Sequence, residues 1–296
     1  MNFMADDLLR YRSEFPILER TNYMISNSLG AMPRAVYDAL KGYADTWATR
    51  GVRAWEERWW MLALEVGNEL GVLMNAPKDS VSAHQNVTTC QAVVASCFDF
   101  SGKRNKVVYS DMNFPSVMYF WEAQRSYGAR VHMIRSDDGI TVPTERLLDA
   151  IDEGTLVVSI SHVIFRSAYV NDARAIIEKA HQVGAHVVLD TFQSLASVPV
   201  DVQAVNVDFA CGGVLGLRRA RVVETPSVKM FWESSIAHTF IGCLGQVHIK
   251  QRQPILKGLQ CETAEDEPDA ERTEASLRKI VSIVFDVRID RRPKNP

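Results

Sequence analysis

The stretch His186-Val187-Val188-Leu189-Asp190-Thr191-Phe192-Gln193-Ser194 is an apolar run that stops at a carboxylate and breaks into turn-forming residues. Such a short run, with no polar alternation, reads as a strand covered on both faces. Asp190 then stands at the strand's carboxyl end, which is where open α/β sheets bind their ligands.

Working outward, the same texture recurs. Val107-Val108-Tyr109, Arg130 to Ile134 and Leu156 to Ile160 read as further strands, and Val207-Asp208-Phe209-Ala210-Cys211-Gly212-Gly213-Val214-Leu215 follows the opening stretch. Between them, helices are expected over Ala92 to Phe98, Phe114 to Arg125, Thr144 to Ile151 and Ala173 to Val183. This alternation implies an α/β fold, a mostly parallel sheet between helices. Upstream, Pro33 opens a helix that carries Val36, Leu40, Tyr43 and Trp47 at helical spacing. A second helix runs from about Trp55 to Met74, with Trp59, Leu62, Val66, Leu70 and Leu73 on one stripe. The spacing assigns these aromatic residues to the core.

Three regions result: an N-terminal segment over 1–32, a large domain over 33–215, and a tail over 216–296 in which the texture changes. Arg218-Arg219-Ala220-Arg221 is a basic burst, Gln246 to Gln260 has no clear period, and Glu262 to Glu274 is an acidic polar run. Ile280 to Ile289 reads as one last strand or helix.

The 296 residues suffice for a full core, and 47% hydrophobic with 23% charged residues is the balance of a globular chain. A net charge of -3 gives no basic footprint for nucleic acid. Five cysteines, odd in number and without zinc spacing, read as reduced thiols. No stretch approaches the roughly 18 apolar residues of a membrane span, and the acidic start is unlike a secretion signal. A cytoplasmic enzyme with neither nucleic-acid nor membrane partner is the expectation.

Three clusters carry candidate chemistry. Asn86-Val87-Thr88-Thr89 precedes a helix, whose free N–H groups and positive dipole end favour a phosphate; plain helix capping by Asn86 or Thr88 is the competing reading. Asn113-Phe114-Pro115-Ser116 follows a strand and offers a ring for stacking and a hydroxyl, although Phe114 alone reads more readily as core. Asp190 is either a functional carboxylate or a turn residue, with Gln193 three positions on. A phosphate anchor, an aromatic plate and an acid for a ring nitrogen are three of the four parts of a pyridoxal-phosphate site; the fourth is a lysine for the Schiff base.

Asn27-Ser28-Leu29-Gly30, Asn113-Phe114-Pro115-Ser116, Ser161-His162 with Ser167, Asp190-Thr191-Phe192-Gln193 and Asp208-Phe209-Ala210-Cys211-Gly212-Gly213 occur together in a telling order. Over about residues 15 to 215 the chain resembles the kynureninase-like branch of the class V aminotransferases. The resemblance implies the fold type I architecture of pyridoxal-phosphate-dependent transferases, an amino acid substrate and a homodimer. It also implies roles: Val87, Thr88 and Thr89 would cradle the phosphate, and Phe114 would stack on the pyridine. Ser116 and Ser167 would lie beside the cofactor, Asp190 would pair with the ring nitrogen and Gln193 would reach the phenolic oxygen. Asn27 would lie on the substrate side. His162 is as readily a satisfied strand-end histidine as a contact.

The resemblance breaks after Leu215. Where the family has Lys-Trp and then Leu-Cys-Gly-Gly-Pro-Gly, this chain has Gly216-Leu217-Arg218-Arg219-Ala220-Arg221. The next lysine is Lys229. If the family hexapeptide is written CTC-TGC-GGC-GGG-CCC-GGG, reading from the last base of its first codon gives CTG-CGG-CGG-GCC-CGG, which spells Leu217 to Arg221. A shifted reading frame is the first reading of the tail, and a divergent domain the second. The family's substrate-carboxylate arginine also belongs to its C-terminal domain; Arg53 and Arg166 are candidates to replace it, each read as solvated. Three activities follow as expectations: a family member that has lost its lysine, a lysine-less homologue that binds cofactor or regulates a partner, or an active enzyme using Lys229.

Overall fold

The computed structural model describes residues 7–195 and 197–213 and the backbone of 245–249. Expectations that fall on Gly216, on Arg218 to Arg221, on Lys229 and on the acidic run lie outside the described residues. The described elements are α1 (Ala35–Arg50), α2 (Trp60–Leu73), β1 (Val81–His84), α3 (Val87–Ala95), β2 (Lys106–Ser110), α4 (Pro115–Ala123), β3 (Arg130–Ile134), α5 (Thr144–Asp149), β4 (Thr155–Ser161), α6 (Ala173–Gln182), β5 (His186–Asp190), β6 (Phe209–Gly212) and β7 (Gly245–Ile249). They form a seven-stranded sheet of order β1-β7-β6-β5-β4-β2-β3.

From β3 to β6 all neighbours are parallel, while β7 runs antiparallel between β1 and β6. The expected mostly parallel sheet between helices is therefore present. Its strands need no polar alternation because both faces are covered. Successive residues point to opposite faces, so Val158 and Val187 join one core with Ile176 and Ile177 of α6. Their neighbours Val157 and Val188 join the other, with Val94 of α3 and Trp121 of α4. The Trp121 indole N–H donates to Gln91 Oε1 at 2.8 Å and locks α4 against α3.

Three expectations change. First, α3 begins at Val87, not Ala92. Asn86 is fully extended (φ -164°, ψ 167°) and its side chain accepts from the Thr89 N–H at 2.8 Å, so Val87-Thr88-Thr89 form the first turn itself. Second, the aromatic residues of α1 and of the π-helical turn Trp55–Trp59 do not sink into the core. Trp47 is 63% exposed, and the rings pack on one another: Tyr43 stacks on Trp59 at 4.9 Å, and Trp55 meets Trp59 edge-on at 5.3 Å. Helical spacing puts residues on one face without saying what covers that face. Leu62, Val66 and Leu70, one and more turns further along, are buried as expected. Third, β7 lies within the region read as aperiodic tail. The slot it fills is closed on both sides by backbone pairing, Val81 opposite His248 and Gly212 opposite Gln246.

At the amino ends of β5 and β6, remote from Asp190, Asp208 is a structural clamp. Its carboxylate meets His181 Nε2 at 2.8 Å and His186 Nδ1 at 3.4 Å, and it accepts from the Val187 N–H at 3.0 Å.

Candidate functional site

Parallel pairing brings three strand ends together: Ser161 of β4 lies opposite Asp190, and Asp190 opposite Cys211 of β6. Above these ends is a cleft lined by Asp190, Phe114, Gln193 and Val87. Ser161, Val163, Phe165 and Phe192 complete the lining.

Asp190 is 5% exposed. One carboxylate oxygen accepts the Phe192 N–H at 2.9 Å, and no cation pairs with it among the described residues. Burial pushes its pKa up to about 6, against the lowering effect of that hydrogen bond. Beneath it, Cys90 and Cys211 are both fully buried, and the Cys90 contact, with burial, raises Cys211 well above an ordinary thiol. The Cys211 thiol is neutral at physiological pH and does nothing to offset the carboxylate's charge.

Phe114 caps α4 from an extended backbone, just after Asn113, whose side-chain N–H₂ donates to the Ser159 carbonyl at 2.9 Å. That bond ties the loop to β4 and leaves the Phe114 ring 42% exposed on the cleft. Phe192 is held by a close approach of the backbone: a Cβ on Gly213 would stand 2.0 Å from its ring. Only glycine permits that approach.

Gln193 donates from Nε2 to the Asn27 carbonyl at 3.1 Å and so brings the N-terminal segment to the cleft. Val87 opens α3 at the rim. Asn86 caps Thr89 and also accepts its hydroxyl at 3.2 Å, while the N–H groups of Val87 and Thr88 have no acceptor among the described residues.

Of the residues singled out from the sequence, Val87, Phe114, Asp190 and Gln193 thus line one cleft, and Asn27 is tied to it through Gln193. Thr88, Thr89, Ser116 and Ser167 are not among the lining residues. The Ser167 hydroxyl accepts the Tyr169 N–H at 3.3 Å. His162 sits between two lining residues, and its Nδ1 is buried without a partner among the described residues. Burial lowers its pKa, which keeps the ring neutral. Val163, Phe165 and Phe192 give no signal in the sequence, because loop residues carry no period.

The set fits a phosphorylated pyridine. An unpaired buried carboxylate suits a protonated ring nitrogen, exposed Phe114 suits its face, and two free N–H groups at the start of α3 suit a phosphate. Among the described residues, none that lines the cleft is a lysine.

Solved structures of pyridoxal-phosphate proteins share this fold. A C-DES mutant with glycine covalently linked to its PLP cofactor matches with a TM-score of 0.65 at 17% identity, covering 81% of this chain and 59% of that one. The cysteine desulfurase CsdA from Escherichia coli matches with a TM-score of 0.64 at 18% identity, over 83% and 59%. The fold is that of the fold type I pyridoxal-phosphate enzymes.

The model of the aminotransferase class V family matches residues 22–213, and the chain belongs to that family. The uncharacterized aminotransferase YcbU of Bacillus subtilis (strain 168) is 32% identical over 208 residues, 69% of this chain and 54% of that protein. A kynureninase of Bacillus thuringiensis subsp. konkukian (strain 97-27) is 27% identical over 290 aligned residues, 86% of this chain and 68% of its own. The chain spans only about half the length of several such relatives. No described helix is long and apolar enough to cross a membrane, and no three metal-ligating side chains cluster among the described residues.

Proposed function

We propose that this chain holds pyridoxal phosphate and an amino acid in the cleft beneath Phe114, as a kynureninase-like member of its family that has lost the lysine for covalent attachment. The observation that carries the reading is Asp190, a buried carboxylate with no cation beside it among the described residues, at the mouth of a cleft roofed by an exposed aromatic ring. Asp190 holds the proton on the ring nitrogen, Phe114 stacks on the ring, and Val87 and Thr88 donate their N–H groups to the phosphate. The family resemblance adds Thr89 to the phosphate cradle and Ser116 and Ser167 beside the cofactor, while Gln193 would donate its second amide hydrogen to the phenolic oxygen and Asn27 would border the amino acid. When bound, the cofactor supplies an electron sink for negative charge at the amino acid's α-carbon. With Gly216 in place of the lysine, no base at that position moves the α-proton.

Substrate class, a homodimeric state and a cytoplasmic setting belong to the same proposal. Family membership supports the first two, and the free thiols of Cys90, Cys97 and Cys211 support the third. A partner-regulating role follows if the chain pairs with an intact homologue.

Cofactor titration followed by equilibrium dialysis tests the reading. Saturable binding that Asp190→Ala and Phe114→Ala each weaken supports it; binding indifferent to both substitutions removes it.

The tail is proposed to arise from a shifted frame, on the spelling of Leu217 to Arg221. A divergent domain is the second reading, favoured by β7 and by a Bacillus thuringiensis alignment too long to lie within residues 1–215. Translating the gene in its other frames separates them: no family-like second half there rules out the shift.

A further inference from the structure

Arg166 is held by its neighbour. Its guanidinium carbon lies 5.3 Å from the centre of the Phe165 ring, and Phe165 lines the cleft and meets Phe114 edge-on with centroids 5.3 Å apart. The turn that presents it is tightly closed: Val163 bridges Val170, Ile164 N–H donates to the Tyr169 carbonyl, and Ala168 N–H donates to the Ile164 carbonyl. Ala168 sits at φ +59°, a left-handed conformation that costs an L-residue about 1–2 kcal/mol. Strain of this kind persists where surrounding structure holds it, and it clusters around ligand sites.

Charge supplies the second observation. Arg34, Arg50, Arg58, Arg125 and Arg146 each pair with an acid, whereas Arg166 shares with Arg20, Arg53, Arg135 and Arg174 the lack of an ion-pair partner among the described residues, and of these five it is the one whose guanidinium packs over a ring that lines the cleft. A guanidinium stacked on a ring is oriented in advance and keeps its in-plane N–H groups for a bidentate anion.

We infer that Arg166, exposed beside the lining residue Phe165 and not itself among the lining residues, is a carboxylate-binding residue at the rim of this cleft, gripping the α-carboxylate of the amino acid that accompanies the cofactor. The inference rests on the cofactor reading above. It gives the chain, from within its large domain, a group that its relatives draw from their C-terminal domain.

Calorimetric titration of the full chain with three probes tests it: pyridoxamine phosphate, phosphopyridoxyl-L-alanine, and phosphopyridoxyl-ethylamine, which lacks only the carboxylate. The wild type is expected to bind the alanine conjugate at least about tenfold more tightly than the ethylamine conjugate, as a charge-assisted bidentate contact provides. Arg166→Gln erases that preference and leaves the other two affinities unchanged, and Arg166→Lys restores part of it. A wild type that binds both conjugates equally overturns the role of Arg166 alone, as does an Arg166→Gln variant that keeps the preference or loses all three ligands together. A wild type that binds none of the three overturns the cofactor reading, and this inference with it.

Discussion

Gln193 and Asn27, 166 positions apart, are joined by a hydrogen bond from the Gln193 side-chain Nε2 to the Asn27 carbonyl at 3.1 Å. Around Asn27 the other bonds are local, as from the Tyr23 hydroxyl to the Leu29 carbonyl at 2.6 Å, while Arg34 holds the earlier part of the segment through the Ser13 and Glu14 carbonyls at 3.0 and 2.8 Å. Gln193 therefore anchors the stretch around Asn27 at the cleft. Gln193→Ala is expected to loosen it at a cost of about 1 kcal/mol, the net worth of one neutral hydrogen bond. Hydrogen exchange at residues 24–30 should quicken while exchange in β4 and β5 stays slow.

Asp190 carries a stability cost that its proposed ligand relieves. A carboxyl group raised from an ordinary value of 3.8 to about 6 binds its proton more tightly folded than unfolded. Cofactor-free stability thus falls as pH rises from about 4 to about 6, and the deficit stays constant above. At 1.36 kcal/mol per unit the loss is on the order of 3 kcal/mol. Asp190→Asn should raise the melting temperature of the cofactor-free protein at pH 8 and change it little at pH 4, while weakening cofactor binding. A melting curve at each pH, with and without cofactor, reads both effects.

Asp208 behaves oppositely. Burial alone would push its carboxyl up, but hydrogen bonds from His186, His181 and the Val187 N–H outweigh burial and hold the pKa below the usual carboxylate range. The stability it gives is present above the ordinary carboxylate pKa and is lost as pH falls through the depressed one. Asp208→Asn weakens hydrogen bonds made to a charged carboxylate and should cost about 1.5–3 kcal/mol at pH 7. Urea midpoints of variant and wild type should converge as pH is lowered well below the ordinary carboxylate value of 3.8.

Ala168 offers a gain. Glycine adopts φ +59° freely, and the relief of about 1–2 kcal/mol exceeds glycine's greater unfolded entropy of roughly 0.5–1 kcal/mol. Ala168→Gly should therefore stabilise the chain by about 0.5–1 kcal/mol in chemical denaturation.

Much of this is legible in the sequence, for reasons that particular residues make plain. Strand β3 has the bounds its residues suggest, and β5 runs to its terminal Asp190, because β-rich apolar runs end at turn residues there. Asp190, Phe114 and Gln193 stand out as site candidates since each follows a strand end. The start of α3 reads too late: Val87-Thr88-Thr89 is β-branched, and only the extended Asn86 shows that its cap already stands before them. Strand β7 escapes a sequence reading because its pairing with β1 and β6 joins residues distant in the chain, and no local period marks it. Phe165 and Phe192 reach the cleft through a closed turn and a glycine-permitted close approach, which three-dimensional contact alone reveals.

The most direct measurement is borohydride reduction of the cofactor-saturated protein followed by peptide mass mapping. The account predicts saturable pyridoxal-phosphate binding and no phosphopyridoxyl group on any lysine. A stoichiometric phosphopyridoxyl lysine, at Lys229 or elsewhere, would contradict it and return the chain to the active enzymes of its family.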